Sequence, residues 1–67
     1  MNLDDIISTD KQPDFARIET EIGTHELITW IPQLRQKIKD RNFKSWYEYV
    51  NAVITYHELL QYLKKVN

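Results

Sequence analysis

The residues best suited to acid–base chemistry or metal binding are two histidines, each followed directly by a glutamate: His25-Glu26 and His57-Glu58. Neighbouring residues on a helix point about 100° apart, so neither pair presents two ligands on one face. The chain contains no H-x-x-x-H or H-E-x-x-H spacing and no cysteine, which removes the usual zinc patterns. We therefore predict no metal site and no cofactor.

Nucleophilic catalysis has few candidate residues. Ser8 lies close to the N-terminus, Ser45 has a spacing suited to helix capping, and the single glycine, Gly23, cannot build a glycine-rich phosphate loop. A helical chain of 67 residues also has little volume for a pocket in which two carboxylates would act on a substrate. We predict that the protein is not an enzyme.

Five cations between positions 35 and 44 are the best candidates for contact with phosphates. They are Arg35, Lys37, Lys39, Arg41 and Lys44, opposed in that segment by Asp40 alone. Clustered Lys and Arg residues bind the phosphate backbone of nucleic acids. Cations with long apolar stems are also what a core-facing helix normally carries at its edges, and the net charge of −1 gives no overall attraction to nucleic acid. We therefore keep a DNA-binding regulator or antitoxin as the alternative function.

The last third of the chain, residues 45–66, is predicted to form one long helix. Ser45 and Glu48 have the S-x-x-E spacing of a capping box, and no Gly or Pro interrupts the run that follows. Apolar residues at spacings of three and four predict one apolar face. They are Trp46, Tyr49, Val53, Tyr56, Leu60 and Leu63, and Ala52 and Leu59 widen the face. The band left for water is narrow: Glu48, Asn51, Thr55, Glu58, Gln61 and Lys65.

A second apolar strip on the same helix, formed by Tyr47, Val50 and Ile54, indicates a partner. A helix that is apolar around most of its circumference is normally buried on more than one side, and Tyr side chains are frequent at protein interfaces. We therefore predict a homodimer or another protein partner, with ten contact residues: Trp46, Tyr47, Tyr49, Val50, Val53, Ile54, Tyr56, Leu60, Tyr62 and Leu63.

The preceding segment is predicted to form a second helix that begins at a capping Thr24. Its apolar stripe consists of Leu27, Ile31, Leu34 and Ile38, flanked by Ile28 and Trp30. Pro32 lies inside this stripe, so we expect a kink or a break there. A turn at Asn42 and Phe43 is short enough to make the second and final helices antiparallel neighbours.

A shorter first helix is favoured for the segment around Phe15, Ile18 and Ile22, with Pro13 in its first turn and Gly23 as its C-terminal cap. A strand competes with this interpretation, because residues 17–22 alternate between apolar and polar side chains. Residues 1–9 are expected to form an arm or a short helical turn.

The strand alternative is linked to one family resemblance. The run Ser45-Trp46-Tyr47-Glu48-Tyr49-Val50 resembles the S-x-x-E-Y-[IV] start of the second helix in ribbon-helix-helix proteins. The resemblance implies that residues 17–22 form a DNA-binding ribbon. The sequence departs from the pattern at Glu19 and Glu21, which would repel phosphate, and at Pro32 in the first helix. We do not assign the chain to this family.

The length of the chain and its lack of cysteine favour oligomerisation. A single domain of this size buries only about 60% of its unfolded surface, and without cysteine its remaining means of stabilisation is oligomerisation. The N-terminus lacks the basic and apolar regions of a signal peptide, and no apolar run reaches membrane-spanning length. We predict a cytoplasmic all-α protein: a short helix, a kinked helix and a long C-terminal helix that form a helical hairpin within a dimeric assembly. The predicted function is that of a small regulatory or adaptor protein.

Overall fold

Helices account for all the regular secondary structure in the part of the chain that the computed structural model describes, residues 3–9 and 13–66, the last of them by its backbone alone. The four helices are α1 (Leu3–Ile7), α2 (Phe15–Ile22), α3 (Thr24–Asp40) and α4 (Trp46–Val66). The predicted all-α class is confirmed. The strand alternative for residues 17–22 is wrong, because they lie in α2, and the ribbon of the ribbon-helix-helix pattern is lost with it.

Helix α1 is short and is held by burial. Its apolar residues Leu3, Ile6 and Ile7 all lie in the core, and Asn51 of α4 donates a hydrogen bond from Nδ2 to the carbonyl oxygen of Ile7 at 3.2 Å. A helix of this length is unstable in isolation. Of the two alternatives for the N-terminal segment, residues 3–7 therefore adopt the helical one; residues 1 and 2 lie outside the described ranges.

The junction between α2 and α3 is set by Gly23. The carboxylate of Asp14 caps the start of α2 by accepting a hydrogen bond from the Arg17 N–H at 3.3 Å. At the end of α2, Gly23 has φ 91° and donates its N–H to the carbonyl of Glu19 at 2.8 Å, as the predicted C-cap should. The prediction that Thr24 caps α3 is wrong: Thr24 is the first helical residue, and its hydroxyl donates to Glu19 Oε2 at 2.7 Å.

Helix α3 continues through Pro32 without the break that the sequence suggested. Proline removes the hydrogen bond to the carbonyl four residues earlier, that of Ile28. Both Pro32 and Ile28 are exposed, so water can satisfy that carbonyl. A kink at this position stays a prediction. The helix ends at Asp40, and the C-cap residue Arg41 has a left-handed φ of 53° and donates its N–H to the carbonyl of Lys37.

The predicted capping box at the start of α4 is confirmed in slightly altered form. The Glu48 N–H donates to Ser45 Oγ at 3.3 Å. The Glu48 carboxylate accepts from the N–H of Lys44, one residue before the serine, at 3.0 Å, and from the Ser8 hydroxyl at 3.1 Å. One carboxylate therefore caps α4 and also ties the end of α1 to it.

The core lies where α3 packs against α4 and α2, with α1 covering part of α4. Its most deeply buried members, each 0% exposed, are Leu27 and Leu34 of α3 and Ala52 and Leu59 of α4. The other buried apolar residues are Leu3, Ile6, Ile7, Phe15, Ile18, Trp30 and Leu63. Within the described ranges, no helix combines the length and the apolar character needed to cross a bilayer.

Candidate functional site

The inner face of α4, which packs on the core, is centred on Ala52, Thr55, Leu59 and Leu63. Thr55 is only 3% exposed, so its assignment to the water-facing band is wrong. It falls between Ala52 and Leu59 at spacings of three and four, which places all three on the same side of the helix. Because α4 is apolar around most of its circumference, the apolar pattern alone did not identify the side that α1 and α3 cover.

The outer face of α4 consists of side chains that point away from the core: Trp46, Tyr47, Val50, Val53, Ile54, His57 and Leu60. Trp46 is 75% exposed, Ile54 49% and Leu60 36%, whereas Val50 and Val53 are half-buried. All of these except His57 are residues that the sequence predicted as interface contacts. The outer face therefore combines members of both predicted apolar strips.

A regular spacing runs along this face. The residues separated alternately by four and three positions form what we call the seam: Trp46, Val50, Val53, His57, Leu60 and Lys64. This is the spacing by which one helix packs along another in a coiled coil. Sequence reasoning missed the seam because His57 and Lys64 are not apolar, although the alternating spacing was available as a signal.

Four of the ten predicted contact residues turn towards the rest of the protein. Leu63 is buried in the core. The hydroxyl of Tyr62 donates to Glu19 Oε1 at 2.6 Å, and Arg35 donates two hydrogen bonds to the hydroxyl of Tyr56, both at 3.3 Å. The fourth, Tyr49, is half-buried. Leu63, Tyr62 and Tyr56 contact the core or other helices, whereas Tyr49 packs on Phe43 and Trp46. None of the four is kept in the candidate surface.

Trp46 is held in place by neighbouring aromatic rings. It stacks on Tyr49 with centroids 5.2 Å apart and an interplanar angle of 20°, and Tyr49 meets Phe43 edge-on at 5.6 Å and 86°. With Arg41 and Ser45, these rings line a shallow cavity of about 420 Å³ at the turn between α3 and α4. Trp46 is nevertheless 75% exposed, so most of its side chain faces solvent.

Glu19 connects α2 to α4 and carries a shifted pKa. The Thr24 hydroxyl, and to a lesser extent the Tyr62 hydroxyl, donate hydrogen bonds to its carboxylate and lower the pKa of Glu19 below its ordinary value. The same bond from Tyr62 is the main cause that raises the pKa of Tyr62, with burial adding to the shift. The Glu19 shift follows mainly from its contact with Thr24 of α3, and the Tyr62 shift from the hydrogen bond that links α4 to α2.

The five cations of the predicted phosphate-binding segment point in different directions. Arg35 reaches α4 at Tyr56, whereas Lys37 reaches α1 and lies 2.9 Å from Asp4. The remaining cations, Lys39, Arg41 and Lys44, are exposed, and none of them takes part in an ion pair within the described residues. Internal contacts thus engage two of the five cations, on two different sides of α3.

Among the described residues, no three histidine, aspartate or glutamate side chains lie close enough together to hold a metal ion. His25 and His57 are both exposed, on α3 and α4 respectively.

Comparison with known proteins gave no match to a family model, to a curated protein or to a solved structure.

Proposed function

We propose that this protein is a small non-catalytic regulatory or adaptor protein that binds another protein chain through the outer face of α4. The observation that supports the proposal is the exposure of Trp46, Ile54 and Leu60 along one helix. Contiguous exposed apolar side chains are typical of protein-binding surfaces. Trp is also among the residues that contribute most to the free energy of binding at interfaces.

The seam suits a helical partner. Apolar residues repeated at this spacing can insert between the side chains of a second helix that lies alongside. Val50 and Val53 have few rotamers to lose on binding because they are β-branched, and the Trp46 ring already stacks on Tyr49. Preorganised contact residues reduce the entropic cost of association.

The finer arrangement that we propose is a hairpin of α3 and α4 that self-associates into a homodimer. The link between the two helices spans only residues 41–45, and Leu27, Leu34 and Leu59 are completely buried where they pack. A core supplied by 67 residues gains from further apolar burial against a second chain.

The test is a charge placed in the middle of the seam, Val53→Asp. A carboxylate that loses its water in the interface should raise the dissociation constant about 30-fold, equivalent to roughly 2 kcal/mol. Val53 is half-buried in the single chain, so we expect the variant to remain helical by circular dichroism. Association is measured by light scattering, and binding to other proteins by capture from the native host.

Ala16→Asp is the matched control, because Ala16 is exposed on α2 and the new charge is also an aspartate. It should associate and capture proteins as the wild type does. If Val53→Asp also retains the self-association and the captured proteins of the wild type, the outer face of α4 is not the binding surface.

The alternative function is that of a DNA-binding regulator or antitoxin that uses the basic segment on phosphates. The exposed Lys39, Arg41 and Lys44 favour it, whereas the internal contacts of Arg35 and Lys37 weigh against it. Fluorescence anisotropy with short DNA and RNA fragments at low salt separates the two proposals. Binding that falls steeply with salt and is weakened by Lys39→Gln would favour the nucleic-acid alternative.

A further inference from the structure

We infer that the outer face of α4 binds a second copy of this chain whose α4 runs antiparallel to the first, with Lys64 of each subunit on the exposed ring of Trp46 in the other. The inference deepens the proposed function and rests on it. It specifies the partner, the orientation and the register, each of which follows from the order of residues along the seam.

The register is fixed because only one antiparallel alignment gives every seam residue a partner. In that alignment the pairs are Trp46 with Lys64, Val50 with Leu60, and Val53 with His57. A shift of one heptad in one direction leaves Leu60 and Lys64 without a seam partner, and a shift in the other direction leaves Trp46 and Val50 without one. The full alignment buries the most apolar surface and is therefore favoured.

The ends of the seam favour antiparallel over parallel packing. Parallel helices would place the two Lys64 ammonium groups side by side, and like charges repel. Antiparallel helices place each ammonium over an indole, where the negative ring face attracts a cation. Trp46 is prepared for this contact, since Tyr49 covers one face of its ring at a centroid distance of 5.2 Å and the residue is 75% exposed.

The residues beside the seam are compatible with the same two-fold symmetry. Ile54, which is 49% exposed, lies close to the symmetry axis and meets Ile54 of the partner subunit. Tyr47 lies opposite Gln61 of the partner subunit. Such an interface uses the same patch on both subunits, as closed two-fold dimers do.

Antiparallel packing also separates residues that parallel packing would bring together. The two-fold axis passes between Val53 and His57, so the two copies of Gln61 lie on opposite sides of it, about 18 Å apart along the helix at 1.5 Å per residue. Parallel helices would hold the two copies of Gln61 next to each other. The distance between copies of a residue therefore reports the orientation.

Because the chain contains no cysteine, single-cysteine variants treated with a short bis-maleimide can test this arrangement. Ile54→Cys should form a covalent dimer, whereas Gln61→Cys should not. Equal amounts of Tyr47→Cys and Gln61→Cys should cross-link to each other when mixed. Ala16→Cys, at an exposed position on α2, controls for random collisions, and circular dichroism checks that each variant is folded.

Cross-linking of both Ile54→Cys and Gln61→Cys would indicate parallel helices and overturn the proposed orientation. Absence of cross-links above the Ala16→Cys background would overturn the second copy as the partner. In either case the proposed function is judged separately, by whether Val53→Asp loses the proteins that the wild type captures.

A second measurement addresses the contact between Lys64 and Trp46. Lys64→Gln should weaken the dimer about fivefold, because it removes the cation from the ring. Lys65→Gln removes the neighbouring exposed cation and should leave the dimer unchanged. Equal effects of the two variants would show that Lys64 does not occupy the predicted position.

Discussion

The two faces of α4 differ in burial, and the difference does not follow the hydrophobicity of their side chains. The inner face includes an alanine and a threonine, Ala52 and Thr55, and both are almost completely buried. The outer face carries Trp46 and Ile54, which are 75% and 49% exposed. On this helix, burial within the single chain does not follow side-chain hydrophobicity. The larger apolar residues on the exposed side are those that a second chain is best placed to cover.

The sizes of the side chains account for the inner face. Ala52 occupies little space, so the elements that pack on α4 can approach its backbone closely. Leu59 then fills the remaining volume and is 0% exposed, in accordance with the close packing of protein interiors. The outer face has no such constraint and can carry an indole ring. Shape complementarity selects the inner face, whereas the outer face stays available for binding.

The largest expected difference between the two faces is in the free energy of unfolding. Leu59→Ala empties a completely buried site and should cost about 2–5 kcal/mol. Leu60→Ala, its neighbour on the outer face, removes a side chain that is 36% exposed and should cost less than about 1 kcal/mol in the isolated chain. Urea unfolding followed by circular dichroism, at protein concentrations too low for association, measures both values.

The same pair of variants should show the reverse order in association. Leu60→Ala should weaken the dimer, since Leu60 pairs with Val50 of the partner subunit in the inferred register. If Leu60→Ala destabilises the isolated chain as much as Leu59→Ala does, the division of α4 into an inner and an outer face is incorrect.

Local signals in the sequence predicted much of the fold. Gly23 ends α2 and the Ser45–Glu48 pair begins α4, because capping depends on residues that are close in the chain. The apolar spacing also predicts the stripe on α3, of which Leu27 and Leu34 are completely buried. Apolar residues on only one side of a helix identify the core-facing side without knowledge of its neighbours.

The orientation of α4 was not predictable from the same type of signal. Its apolar residues surround most of the helix, so the face that is buried depends on how α1 and α3 pack, which is tertiary information. The apolar pattern alone therefore predicts Thr55 in the water-facing band and Leu63 and Tyr62 at the interface. The apolar pattern predicts Trp46 and Val53 as members of the candidate surface but not His57, because a histidine interrupts that pattern.

A smaller effect, on dimer affinity, is expected from a substitution of His57, the polar residue in the middle of the seam. His57→Leu replaces an imidazole, which must give up water on association, by an apolar side chain that gains from burial. We expect dimer affinity to rise about tenfold, and the fold of the isolated chain to change little because His57 is exposed. Analytical ultracentrifugation of the two proteins measures the change.

His25→Leu is the control for this substitution, since His25 is exposed on α3 and does not belong to the seam. Its dimer affinity should equal that of the wild type. A decrease in affinity for His57→Leu would indicate that the imidazole makes a specific hydrogen bond across the interface, and that the partner residue opposite it is not Val53.

The smallest expected effect is a pH dependence at the edge of the inner face, where Tyr62 donates to Glu19 at 2.6 Å. The pKa of Glu19 is lowered from 4.5 in the folded protein. Its ionised form therefore stabilises the fold fully above that ordinary value, and this contribution is lost as the pH falls through the lower folded pKa. Tyr62→Phe removes one of the two hydrogen bonds, and the larger contribution from Thr24 remains.

The variant should thus lose less stability than the wild type when the pH is lowered from about 6 to about 3. Tyr56→Phe is the appropriate control, because the Tyr56 hydroxyl accepts hydrogen bonds from Arg35 rather than donating to a carboxylate, so its acid slope should match that of the wild type. Urea midpoints at several pH values give the slopes. If Tyr62→Phe and the wild type have the same acid slope, the hydrogen bond to Glu19 does not persist in solution and does not help to hold α4 on α2.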